Sequence, residues 1–160
     1  MTNLQQSNIY SASAEEIGGL FGDYLDGSAA CPVLILSEQP LGDVARNALE
    51  KTFSSFGYGN AGACGYATLH PSNATEEWDV VLDPQALFLL MEGLDPICVV
   101  CADEASATCL GKAYRTAFEP DAPARVFGRP AVAFRDFAAL LATDEGKQRA
   151  WHILKSLPKR

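Results

Sequence analysis

The sequence predicts one α/β domain, a three-layer α/β/α sandwich around a four-stranded parallel sheet. Three observations predict it. Short apolar runs such as Val33-Leu34-Ile35-Leu36 and Ile97-Cys98-Val99-Val100-Cys101 are continuous, the form a strand takes when both sheet faces are covered. Stretches with apolar residues at helical spacing separate these runs, so strand and helix alternate. Such alternation implies parallel strands joined by right-handed crossovers, with helices on both faces. The 160 residues, 48% hydrophobic, suffice for one covered core, so a single domain over 1–160 is expected, with 1–11 a flexible N-terminus.

The first helix is signalled by a capping box, Ser13 with Glu16, and by Ile17, Leu20, Phe21, Tyr24 and Leu25 on one face, with Gly27 as its stop. Val33 to Leu36 is the first strand, broken by the polar, Pro- and Gly-containing loop Ser37 to Gly42. Asp43 is placed to cap a second helix carrying Ala45, Ala48, Leu49, Thr52, Phe53 and Phe56, which Gly57 ends. Tyr58 to Gly62 is a loop in which Tyr58 is expected to be exposed. Ala63 to Leu69 is the second strand, ended by His70-Pro71, and Ser72 to Trp78 is a polar surface loop.

Asp83-Pro84 pairs an acidic N-cap with a proline whose missing N–H does no harm, and Leu87, Leu90, Met91 and Leu94 give the helix its buried stripe, with Gly93 as the end. Pro96 to Cys101 is the third strand. Asp103 or Glu104 opens the next helix, whose inner face is Ser106, Cys109, Leu110, Ala113, Tyr114 and Ala117. Glu119 to Ala124 reads as a rigid surface connector. Ala131 to Phe134 is the fourth strand, followed by a short helix over Asp136 to Leu141. Thr143 caps the last helix, with Asp144 and Glu145 favourable in its first turn and Lys147, Ala150, Trp151, Leu154 and Leu157 on its inward side.

A net charge of -8 weighs against unaided nucleic-acid binding, which depends on Lys and Arg contacts to phosphate. The basic residues concentrate in the last third, from Lys112 to Arg160; helix termini and surface account for them, with a local basic face as the alternative. No apolar run approaches the ~20 residues of a membrane-spanning helix, and the start lacks a basic segment followed by an apolar one, so a cytoplasmic location is expected. Cys98 and Cys101 form C-x-x-C, yet residues three apart in a strand point to opposite faces and cannot converge on one ion. Cys31, Cys64 and Cys109 complete an odd set, a poor disulfide framework and a good set of buried thiols.

Cofactor motifs are lacking: no G-x-G-x-x-G follows a strand, and neither a P-loop nor a G-x-S-x-G elbow occurs. No cofactor and no metal are therefore expected. In open parallel sheets ligands bind outside the carboxyl ends of the strands. Those ends gather Ser37, Glu38, Gln39, His70, Asp103, Glu104, Arg135 and Asp136. Glu38 and His70 are the candidate acid/base pair, and Ser37, Glu38, Gln39, Asp103 and Arg135 the candidate ligand contacts. The bland alternative makes Glu38 a solvated carboxylate, Asp103 a helix cap and His70 a turn residue.

Three phrases carry a resemblance: VLILSEQPLGD (Val33 to Asp43), LDPICVVCADEASATCLG (Leu94 to Gly111) and FRDFAALLATDEGKQRAWHILKSL (Phe134 to Leu157). In their order the chain resembles a uracil-DNA glycosylase-like domain over Pro32 to Leu157. The resemblance implies a four-stranded parallel sheet between helices. It also implies, for active members, an acidic residue or Asn in the first loop and a His in the last loop that stabilises the departing uracil anion. Here the last loop reads Phe134-Arg135-Asp136-Phe137, without histidine, and His70-Pro71-Ser72 spells the His-Pro-Ser phrase after the second strand instead. The four-cysteine spacing of cluster-binding members is not reproduced. The resemblance thus implies a member that has lost its chemistry and binds a protein partner or a small ligand. A small hydrolase or transferase for a nucleobase- or nucleotide-like ligand, using Glu38 and His70, is the alternative.

Overall fold

Val33–Ser37 is buried along its whole length because it is paired on both sides and covered on both faces. The computed structural model describes residues 19–27, 31–59, 62–71 and 81–160. Its strands are β1 (Leu25–Asp26), β2 (Val33–Ser37), β3 (Cys64–Thr68), β4 (Cys98–Cys101), β5 (Ala122–Val126) and β6 (Arg129–Ala133). Its helices are α1 (Asp43–Ser55), α2 (Pro84–Leu94), α3 (Glu104–Tyr114), α4 (Phe137–Leu140) and α5 (Asp144–Leu154), with a 3-10 turn at Gly22–Tyr24.

The strands form one sheet in the order β1-β3-β2-β4-β6-β5. β3, β2, β4 and β6 run parallel, while β1 and β5 pair antiparallel at the two edges. Among the described residues the sheet is therefore six-stranded and mixed, where four parallel strands were expected. Both additions have local causes. β5 falls on the stretch read as a connector: Pro123 lacks a ladder N–H, but at an edge strand that loss is tolerated. β1 falls on the stretch read as the end of the first helix. There the chain leaves the helix through the 3-10 turn, pairs Leu25 and Asp26 with Ala67 and Tyr66, and anchors Asp26 to Arg46 at 2.7 Å. Leu20, expected on the buried face, is exposed. The capping box, Ile17, the 1–11 stretch and the Ser72 to Trp78 loop lie outside the described residues.

The strand pleat divides the core in two. Val33, Ile35, Cys98, Val100 and Val132 pack with Leu49, Phe53, Phe137, Ala150 and Leu154, beneath α1, α4 and α5. Leu34, Leu36, Val99, Cys101 and Ala131 pack with Leu87, Leu90, Met91 and Leu110, beneath α2 and α3. Cys98 and Cys101 thus sit on opposite faces, as their spacing requires.

Cap chemistry mostly follows the sequence. Asp83 accepts from the Ala86 amide at 2.8 Å, Asp103 from Ser106 at 2.9 Å and Thr143 from Gly146 at 2.9 Å. Asp43 is an exception, because Gly42 occupies the N-cap and Asp43 contributes only charge to the first turn of α1. Gly93 stays inside α2, which Asp95 ends in the left-handed conformation. In α5, Ile153 takes the buried place assigned to Trp151, whose ring is partly exposed beside Phe56. Ala117, assigned to the inner face of α3, lies beyond the helix and is exposed.

Tyr58 is buried, not exposed. It packs edge-on against Phe53 and donates to the Pro158 carbonyl at 2.6 Å, because the C-terminal residues fold back over the end of α1. Arg160 donates its amide to the Phe56 carbonyl, and a side chain at Gly57, which has φ 94, would collide with the Arg160 carbonyl.

Candidate functional site

The strand order fixes where a site belongs. From β2 the chain moves to β3 on one side, and from β4 it moves to β6 on the other, so the topological switch lies between β2 and β4. The crest outside their carboxyl ends carries Ser37, Glu38 and Gln39 from one strand and Asp103 from the other.

These groups engage one another. Asp103 Oδ2 accepts the Glu38 amide at 2.9 Å while its Oδ1 accepts the Ser106 amide at 2.9 Å. One carboxylate thus caps α3 and ties it to the loop after β2. Beneath it, Ser106 Oγ donates to the Leu36 carbonyl at 3.2 Å, and the Ala102 amide to the same carbonyl at 2.8 Å. Ser37 is buried and donates its hydroxyl to the Gln39 carbonyl at 2.7 Å, which turns the loop and leaves the Gln39 side chain exposed. Asp136 caps the four-residue α4 through Ala139 and forms a backbone bridge to Asp103.

Glu38 and His70 do come together. The β2–β3 pairing continues past the strand ends, with Leu69 donating to Ser37 at 3.0 Å and His70 to Glu38 at 3.3 Å. This sets the two side chains at neighbouring strand ends, Nε2 to Oε2 at 4.0 Å. That separation is too long for a hydrogen bond, and the Glu38 side chain is 52% exposed.

Arg135 and Glu104 belong elsewhere. They line a cleft of about 520 Å³ on the outer side of α3, between that helix and the chain returning from it toward β5. The close approach of helix and connector depends on Gly111, where a Cβ would lie 2.6 Å from the Thr116 carbonyl. Ala107, Phe118 and Pro120 supply apolar lining, and Lys112, Arg115 and Arg135 supply positive charge. Lys112 and Arg115 were visible in the sequence only as charge near a helix end. Their convergence with Arg135 depends on the connector's return path, which no local pattern encodes.

The cysteines offer no nucleophile. All five are buried, and burial pushes each thiol up, Cys98 to about 11, so little thiolate forms near neutrality. Among the described residues no three His, Cys, Asp or Glu side chains group as metal ligands, and no helix is long and apolar enough to cross a membrane.

Neither the protein-family models nor the curated proteins contain a match to this chain.

Proposed function

We propose that this chain is a binding domain of the uracil-DNA glycosylase-like type that does not cleave glycosidic bonds. Four parallel strands between two helical layers agree with the architecture that resemblance implies, and the two antiparallel edge strands are additions to it. The observation that carries the reading is the last loop, Phe134-Arg135-Asp136-Phe137, which has no histidine to stabilise a leaving anion and whose Arg135 lines the cleft beside α3. At the switch point the Asp103 carboxylate accepts a backbone amide on each oxygen and so serves the fold, while Glu38 of the first loop is half exposed and lies 4.0 Å from His70.

The test is a single-turnover excision assay on single- and double-stranded uracil-containing DNA. Expected is no excision above the uncatalysed background. Turnover that disappears in Glu38→Ala would overturn the proposal.

One observation favours a second reading, a hydrolase or transferase for a nucleobase- or nucleotide-like ligand. The extended β2–β3 pairing brings Glu38 and His70 side by side, the arrangement an acid/base pair requires. It predicts a hydrolytic activity on nucleosides or nucleotides lost equally in Glu38→Ala and His70→Ala. Activity unchanged in both variants removes it.

A further inference from the structure

We infer that the cleft beside α3 binds a small organic anion, a phosphate or carboxylate group carried on a partly apolar body. The inference rests on the binding-domain reading and gives it a ligand class. Of the 12 basic side chains, four have ion pairs: Arg46 with Asp26, Arg129 with Glu92 and Asp95, Lys147 with Asp144, and Arg149 with Asp121. The other eight have none among the described residues, so the lack of a partner does not single out a site. What sets Lys112, Arg115 and Arg135 apart is that these three unpaired cations line one cleft.

Helix-dipole complementarity accounts for Lys112 and Arg115 at the end of α3. It does not account for Arg135, which reaches the same cleft from the end of β6. Nor does Asp121 neutralise Arg135. One of its oxygens accepts the Arg135 backbone amide at 3.4 Å, and the other pairs with the Arg149 guanidinium at 3.4 Å. Guanidinium groups present forked donors that match the oxygens of phosphate and carboxylate. The cleft volume, about 520 Å³, falls in the range of small-molecule sites, and its lining mixes apolar surface with Thr108, Thr116, the three cations and a single carboxylate, Glu104, so its charged lining is net positive. A ligand body would rest on Phe118 and Ala107, and its anionic group would meet the cations. Because the chain as a whole is negative, this attraction acts at short range and weakens with salt.

The experiment is an NMR titration of the isotope-labelled full chain with phenyl phosphate and, separately, benzoate, with phenol as the uncharged control. Expected are saturable amide shifts for at least one anion, confined to the cleft lining, Glu104 through Phe118 and Ala133 through Arg135, with no saturable shift for phenol. The double variant Arg115→Gln/Arg135→Gln should weaken binding at least about tenfold while keeping the dispersed native spectrum. Thr108→Trp, an exposed helix position on the cleft wall, should block binding sterically and checks the location without removing charge. Comparison of the two anions shows which head group the cations prefer. The inference is overturned if neither anion gives saturable shifts, if the shifts lie elsewhere, if phenol binds as well, or if the variants bind like the native chain. Uracil excision by the same protein would overturn the binding-domain reading alone, whereas an empty titration would overturn the cleft and leave the excision result standing.

Discussion

Asp103 belongs to the crest of the sheet and Glu104, the next residue, to the cleft beside α3, and the two regions treat charge in opposite ways. At the crest the Asp103 carboxylate is held by two backbone amides and the Ser37 hydroxyl by a carbonyl. In the cleft, Lys112, Arg115 and Arg135 have no ion-pair partner among the described residues. Polar groups of the first kind hold the fold together, and their loss is read by unfolding. Groups of the second kind contribute little to folding and are read only by what binds them.

An arginine of the first kind gives the largest contrast. The Arg129 guanidinium contacts Glu92 at 2.9 Å and Asp95 at 2.7 Å, and Tyr114 donates to the same Glu92 oxygen at 2.6 Å. Burial pulls the Arg129 guanidinium down, but the bonds to Glu92 and Asp95 more than offset it and hold the charge above its ordinary value. Arg129→Leu leaves the Glu92 carboxylate mostly buried without its counter-ion, which should cost about 3–5 kcal/mol in urea unfolding. Arg115→Gln and Arg135→Gln should each stay within about 0.5 kcal/mol of the native chain. A comparable loss in either cleft variant would erase the distinction between the two regions.

Asp103→Ala comes next. It removes an N-cap, worth about 1 kcal/mol, and a charge-assisted bond across the two loops, worth about 1.5–3 kcal/mol. The urea midpoint should fall accordingly at an unchanged slope. Glu104→Ala, one residue on, should be near neutral. If Asp103→Ala were also neutral, the crest would be held by its backbone ladder alone, and the carboxylate would be available for other work.

The parallel core of the sheet was legible because its signal is local. Val33 to Leu36, Ala63 to Leu69, Pro96 to Cys101 and Ala131 to Phe134 each mark a strand by their own composition, and Asp83-Pro84 and Thr143 mark their helices by cap chemistry. The edge strands were illegible for the complementary reason. Leu25–Asp26 is two residues long and follows a helical pattern, and Ala122–Val126 carries a proline that local reading counts against a strand. Pairing with a neighbour overrides both. Tyr58 was misread because its burial depends on residues 100 positions away, at the other end of the chain. The same division runs through the site. Glu38 and His70 follow from strand order, whereas the company that Arg135 keeps with Lys112 and Arg115 depends on the path of a connector.

The smallest expected effect bears on the crest itself. Glu38 and His70 stand 4.0 Å apart, and both side chains are partly exposed, at 52% and 31%. An exposed ion pair contributes only about 0–1 kcal/mol and is screened by salt. A double-mutant cycle with Glu38→Gln and His70→Asn should therefore give a coupling energy below about 1 kcal/mol that fades at high ionic strength. A coupling above about 2 kcal/mol that survives high salt would mean the pair is held in place by more than its own attraction. Preorganisation of that kind is what acid/base chemistry requires and what a surface contact lacks. It would move the crest out of the class of self-satisfied structure and make Glu38 and His70, not the cleft, the first place to look for a reaction.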